Sequence, residues 1–571
     1  MTPPRPTPSK AAAKNAPHLP APGAAATDRQ RSRDRQLLAD QSLGNEVVPE
    51  VSTPLQPTAK GPRTVAVIDI GATSIRMAVA EINGAGEVRT LESFLQPVEL
   101  GRDSFETRRL SRRGIERATT ILKRFRRVLQ EYGVTSAEDI RVVATSAVRE
   151  ATNRMAFIDR VYVATGLDVE PIDEAEVNRI TYMGITPQLM ARRETAESKS
   201  VVVEVGGGST ELLVLRGGNV LHSDSFRLGS LRLLQTLDAS GVRGRRWRQL
   251  LETHIRRILV RIADTIVTDT TLHLVAIGGD IRFAAHRLLP DWDEKTLARL
   301  STKKLEAFTA DILAMGEDAV VQRFGATFVE AETLAPALLS YTLLAQHFEC
   351  QHVLVSGINL RDGLLKDIES GSSWTSQFRQ QIIRSALSLG RKYQVDETHA
   401  RAVAELSRRL FEQLAEEHRL DARYEVLLYV AALLHEVGMY VNVRSNHKHS
   451  LYLIRHSELF GLSRQELLLV ALVARYHRRA SPQSNHEGYG SLGRSDRVAV
   501  AKMASLLRLA IALNDTRSGR IREIRCHREP KRLVIAVPGV DDVSLEQMAM
   551  RAHSALFHDV FGMPVLLRPG D

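Results

Sequence analysis

Two short stretches of this sequence combine the residue types that handle phosphate. The first is Val67-Ile-Asp-Ile-Gly-Ala-Thr-Ser74 and the second is Val203-Glu-Val-Gly-Gly-Gly-Ser-Thr-Glu211. In each, an acid stands two residues before the first glycine of a turn, and hydroxyl residues follow. A glycine-rich turn after a buried strand exposes successive backbone N–H groups, a nest that suits phosphate oxygens. Gly71, Thr73 and Ser74 in the first turn are candidate phosphate ligands, as are Gly206, Gly207, Gly208, Ser209 and Thr210 in the second. On a strand, residues two apart share a face, so the acid and the glycine point the same way. A carboxylate beside a phosphate nest repels its ligand unless a cation lies between them. Asp69 and Glu204 are therefore candidate Mg²⁺ ligands, directly or through waters. Glu211, just past the second turn, is placed to order a metal-bound or attacking water.

Taken singly, each stretch reads as an ordinary turn with an acid capping a strand end. Taken together they superpose, Glu204 on Asp69, Gly206 on Gly71 and Ser209 on Ser74, at an offset of 135 residues (204 − 69). Two tight turns rarely match in this way by accident, so the pair reads as two halves of one phosphate cleft.

The elements that must position these residues follow from the apolar pattern. Val65-Ala-Val-Ile-Asp-Ile70 reads as a buried strand and Ile75 to Ile82 as its return. Helical patterns then alternate with short apolar strands such as Arg141-Val-Val-Ala144, the mark of α/β architecture. Further strands end at Leu274-Val-Ala-Ile-Gly-Gly-Asp280 and Val353-Leu-Val-Ser-Gly357. From Thr375 to about Ala512 the spacing is helical throughout. Beyond Ile521 an alternating segment, a helix and Val565-Leu-Leu567 predict a small α+β piece. The expected domains are a disordered tail at 1–60, one lobe at 61–195, a second at 196–372, a helical domain at 373–518 and a C-terminal piece at 519–571.

The 571 residues correspond to three or four domains at roughly 100–200 residues each. Hydrophobic content of 43% and charged content of 25% are ordinary globular values. No apolar run approaches the ~20 residues of a membrane helix, and no apolar signal-peptide core opens the chain. Cys350 and Cys526 alone make neither a disulfide framework nor a cysteine-rich zinc site. A soluble, cytoplasmic protein is expected. The net charge of +10 suggests a polyanionic partner. Residues 1–60 bury too little apolar surface to order, and Arg29 to Arg35 read as part of a solubilising linker. Arg108-Arg-Leu-Ser-Arg-Arg113, Arg117, Lys123-Arg124 and Arg126-Arg127 form a basic helical region, extended by Arg243-Gly-Arg-Arg-Trp-Arg248 and Arg478-Arg479. Such a run is usually a solvated helix face; under a long polyanion it becomes a salt-sensitive track. Aromatics are only 5% and do not interleave with the basic residues, which makes nucleic acid an unlikely partner.

The two turns, with Ala144-Thr-Ser-Ala-Val-Arg-Glu-Ala151 and Ser356-Gly-Ile-Asn-Leu-Arg-Asp-Gly363, resemble the exopolyphosphatase/guanosine pentaphosphate phosphohydrolase (Ppx/GppA) family from about Val65 to the C-terminus. His435-Glu-Val-Gly438 and Tyr476-His-Arg-Arg479 resemble the HD-like domain of its longer members. The resemblance implies an α/β fold of two actin-like (ribonuclease H-like) lobes, an all-α HD-like domain and the small α+β C-terminal piece. It implies Mg²⁺-dependent removal of terminal phosphate from inorganic polyphosphate or pppGpp, polyphosphate being the favoured substrate, and a homodimer joined through the helical domain. Arg149 matches a phosphate-contacting arginine of the family. The departures are informative. Thr73 stands where the family usually has Asn, and Glu204 where it has Asp. Aligned without a gap through Tyr182-Met-Gly184, the family's catalytic glutamate falls on Val177. Valine takes no proton. Either Glu176 substitutes, with Glu174 also near, or the protein is slow or inactive and binds polyphosphate or (p)ppGpp as a sensor. In the helical region His399, His435, Glu436 and His477 form the possible HD-like cluster. Glu436 replaces that motif's Asp and Asn514 its last Asp, so the reading is an HD shape without a complete ligand set.

Overall fold

Two sheets repeat one another and face a common cleft in the computed structural model, which describes residues 62–238, 245–266, 272–370 and 376–570. The tail at 1–60 and Arg243 of the basic run lie outside the described residues. In the first lobe β1 (Arg63–Ile70) pairs antiparallel with β2 (Ser74–Ile82), which pairs with β3 (Val88–Pro97). On its other side β1 runs parallel to β4 (Ile140–Ala144), followed by β5 (Val169–Pro171), giving the order β3-β2-β1-β4-β5. Helices cover both faces of β1, and it is accordingly a continuous apolar run rather than an alternating one.

The second lobe repeats this order. β6 (Lys199–Val205), β7 (Thr210–Arg216) and β8 (Asn219–Phe226) form its antiparallel half, and β9 (Leu272–Ile277) lies parallel to β6. β10 (Ala298–Ser301) and β11 (His352–Val355) complete the sheet β10-β11-β9-β6-β7-β8. The duplicated strand–turn–strand gives the two related lobes expected from the repeat, with the actin-like core that the family resemblance implies. Register makes the correspondence chemical: Asp69 pairs with Arg76 across the first hairpin, while Glu204 pairs with Glu211 across the second. One hairpin thus holds an acid and a base side by side, the other two acids.

Packing departs from the sequence order in two places. The helix Leu360–Glu369, which falls in the second lobe by sequence, sets Leu360, Leu364, Leu365 and Ile368 against Val65, Val67, Ala78 and Ala80 of the first sheet. There it crosses the helix Glu174–Met190, at a point where a Cβ on Gly363 would sit 2.2 Å from the Ile180 carbonyl oxygen. The helical region, from Ser376–Lys392 to Arg494–Leu513, is not a separate bead either. It shares one core with the inner face of the second sheet, through Val202, Leu213 and Val275. The C-terminal sheet, β12 (Arg525–Glu529), β13 (Arg532–Pro538) and β14 (Val565–Gly570), joins that core through Leu533, Ile535 and Leu567.

Candidate active site

The two turns close in the same way. Gly71 N–H donates to the Ser74 carbonyl and Gly206 N–H to the Ser209 carbonyl, both at 2.9 Å. The second turn rests on the first lobe so closely that a Cβ on Gly208 would lie 2.4 Å from both Phe105 and Ser146 Oγ. Between the turns lies a cavity of about 540 Å³, lined by all the turn residues predicted from the sequence except Thr210. Thr210 is fully buried and its hydroxyl donates to the Leu228 carbonyl, so it supports the turn from behind rather than facing a ligand. Ser74 Oγ is buried in the cleft wall and has no hydrogen-bond partner among the described residues.

Five acids line this cavity from the second lobe, Glu204, Glu211, Asp280, Glu294 and Glu330, and three of them are raised by burial. Burial pushes the Glu204 carboxyl up, with Asp69 adding to the effect, while Arg282, Arg76 and Arg361 pull against it. Glu211, directly across the hairpin, is pushed up to about 7 by burial and then by Glu204; its carboxylate accepts from Ser209 Oγ at 2.5 Å. Asp280, in the first turn of the helix Gly279–Leu288, is raised to about 6 by burial. Sequence reasoning passed over Asp280, although the Gly278-Gly279 break after β9 is the same strand-end signal that marked the two turns. Asp69 faces them from the first lobe, with Arg76 at 3.7 Å and Arg361 at 3.8 Å. Both distances exceed a hydrogen bond, which leaves the Asp69 oxygens open to a cation. Arg149 lines the cavity and is aimed by two contacts, to the Ile172 carbonyl at 2.9 Å and to Glu174 at 3.0 Å. Hard oxygens from Asp69, Glu204 and the unpartnered Ser74 hydroxyl make a donor set that fits Mg²⁺.

Glu176 is the clear correction. It does not line the cleft. It accepts from Arg179 at 2.7 Å and Arg141 at 2.9 Å, in a buried network that Asp367 completes. Burial alone would raise its carboxyl, but the two guanidinium groups hold it below the usual range. The residue of this helix that does line the cleft is Val177. Glu176 points about a quarter-turn away from Val177 because successive helix residues rotate by roughly 100°.

The helical-domain cluster does assemble. Ligating atoms of His399, His435 and Glu436 lie within 4.8 Å of one another, and His477 packs on His435 with ring centroids 5.3 Å apart. Its hydrogen bonds set the tautomers. His435 and His477 donate through Nδ1 to the Ala432 and Ala474 carbonyls. His399 Nδ1 accepts from the Asn514 amide, whose oxygen takes Gly519 N–H, so the inner nitrogen of His399 carries hydrogen. Glu436 is bound by Arg517 at 2.5 Å. Burial lowers all three histidines from the ordinary imidazole value, His399 to about 4. The basic helix Arg112–Glu131 turns Arg113, Arg117, Lys123, Arg124 and Arg127 to solvent and buries Ala118, Leu122 and Leu129 beneath them.

The two related lobes bring acids, an arginine and two glycine turns around one cleft. By sequence comparison, residues 66–371 match the Ppx/GppA phosphatase family and residues 382–549 match Ppx/GppA phosphatase, domain III, and the chain belongs to this family. It is 25% identical over 480 residues to the guanosine-5'-triphosphate,3'-diphosphate pyrophosphatase of Vibrio vulnificus, covering 83% of this chain and 91% of that protein. The protein of the same name from Vibrio cholerae serotype O1 is 27% identical over 466 residues, covering 79% and 87%. The crystal structure of the Aquifex aeolicus member of the Ppx/GppA family aligns at 24% identity and a TM-score of 0.46, over 55% of this chain and all of that one. No helix among the described residues is long and apolar enough to cross a membrane.

Proposed function

We infer that this protein hydrolyses the terminal phosphoanhydride bond of a phosphate chain, with inorganic polyphosphate or guanosine pentaphosphate as substrate. One observation carries the reading: both glycine turns, Asp69, Glu204, Glu211 and Arg149 line a single cavity. The turns hold phosphate oxygens through their remaining backbone N–H groups, those of Gly71 and Gly206 being used to close the turns, and Arg149 offers a bidentate contact to the transferring group. Asp69 and Glu204 would hold Mg²⁺, which supplies charge neutralisation for the phosphate oxygens when bound. Glu211 orients the attacking water; with Val177 in the cleft wall it is the acid of this lobe best placed to take the proton. The relatives' name favours the guanosine nucleotide and the exposed basic helix favours the longer inorganic chain.

Val177 supports a second reading, a protein that retains its phosphate ligand without turning it over. Phosphate release from long-chain polyphosphate and from pppGpp, each with and without Mg²⁺, separates the two. Steady metal-dependent release that Glu211→Gln abolishes supports the hydrolase. Tight stoichiometric binding with no release from either substrate supports the sensor and overturns the first reading.

A further inference from the structure

Outside the cleft, and sharing no residue with it, a cavity of about 220 Å³ opens in the helical domain. One wall is a single stripe of the helix Asn446–Arg455 and its cap: Lys448, Leu451, Tyr452, Arg455 and His456 follow at helical spacing. Arg475, at the end of the helix Arg464–Arg475, and Glu487 close the other side. In a helical bundle such a stripe normally packs on a neighbour. Here it opens to solvent, with Tyr452 62% exposed.

The charge at this cavity is unbalanced. Glu487 is its lone carboxylate among the lining residues and is taken by Arg455 at 3.0 Å. Lys448 and Arg475 have no carboxylate within ion-pair distance among the described residues. The same cations surround His447: burial, then Arg478, Arg475, Lys448 and His449, hold its imidazole below the ordinary value. Its Nδ1 is buried without a partner among the described residues. Cations gathered without acids repel one another, a cost that a bound anion removes. Beside them the rings of Tyr452 and His456 lie 4.5 Å apart, both on the open side.

An aromatic pair next to unpaired cations is complementary to a molecule with a flat ring at one end and phosphates at the other. We propose that this cavity is a nucleotide-binding site, with the base against Tyr452 and His456 and the phosphates on Lys448 and Arg475. An inorganic phosphate chain would use the cations and leave the rings without a role, so Tyr452 discriminates between the two ligands. The proposal does not depend on what the cleft does.

The test uses the full chain with fluorescent N-methylanthraniloyl-GDP as probe and inorganic tripolyphosphate as competitor. Base stacking on one aromatic side chain predicts that Tyr452→Ala weakens probe binding by roughly fivefold or more. The double variant Lys448→Ala/Arg475→Ala should remove one class of probe sites, and Arg149→Ala in the cleft should leave that class at native affinity. Tyr452 is exposed, so its variant should melt like the native protein, and the melt is measured alongside. Native probe affinity in Tyr452→Ala, with tripolyphosphate displacing the probe equally well, would make this an inorganic-phosphate site and overturn the proposal. Probe binding lost only in Arg149→Ala would assign all nucleotide binding to the cleft and overturn it equally.

Discussion

Val177→Glu restores a carboxylate to the cleft wall, and its outcome tests the whole account of how water is handled here. Val177 is 7% exposed and packs with Ile172, Ile180, Leu360 and Leu364 behind the first sheet. Its side chain nevertheless reaches the cavity that Glu211 and Arg149 line. Replacing valine removes roughly 1.5–3 kcal/mol of apolar burial. The new carboxylate enters a site where Arg149 is already poised, so part of its desolvation is offset. A positioned general base contributes about 10²–10⁴-fold to a rate, or about 3–5 kcal/mol of barrier. If Glu211 carries that role imperfectly in the natural protein, Val177→Glu should raise kcat at least tenfold while leaving KM within a few-fold, at a lower melting temperature. The assay is phosphate release from polyphosphate and pppGpp under saturating Mg²⁺. The paired variant Val177→Glu/Glu211→Gln should recover activity that Glu211→Gln alone loses. A folded Val177→Glu protein with unchanged kcat on both substrates, and no recovery in the pair, would refute the claim that the missing glutamate limits turnover.

Three further outcomes follow from particular contacts. The Glu211 carboxyl near 7, against an ordinary 4.5, means that the folded protein binds more protons than the unfolded chain between those values. Stability should therefore fall as pH rises from about 5 to 8, by about 3 kcal/mol from this group; melting in a chelator should show the decline, Glu211→Gln should reduce it and Mg²⁺ should oppose it. Gly208→Ala drives a Cβ into Phe105 and Ser146 at 2.4 Å, so the lobes must part, and hydrolysis should drop at least tenfold while the helical domain's circular dichroism persists. Asp367→Ala leaves the two guanidinium groups of Arg141 and Arg179 on the one acid they still share, Glu176, an excess of buried positive charge that costs about 3–5 kcal/mol in urea unfolding; Asp367→Asn, which keeps the shape, should lose less.

The strand–turn–strand repeat determined a great deal by itself. A continuous apolar strand, a glycine turn after it and an acid two residues before that turn are local rules, and they located Asp69, Glu204, Glu211 and seven of the eight turn residues in the cleft. The duplication carries through to the structure, where the hairpin of the second lobe repeats the antiparallel ladder of the first. What local rules could not decide was which side of an element meets which neighbour. Glu176 and Val177 are adjacent in sequence, yet one enters an ion network with Arg141 and Arg179 and the other the cleft, a choice made by the rotation of one helix against a sheet. Thr210 looks like a turn ligand until the Leu228 carbonyl claims its hydroxyl from 18 residues away. The helix Leu360–Glu369 belongs by sequence to the second lobe and by packing to the first, because its apolar face fits the bare side of β1 and β2. The stripe at Lys448, Tyr452 and His456 was likewise invisible as a cavity, since a helical pattern says that a face exists and only the packing of other helices shows it was left open.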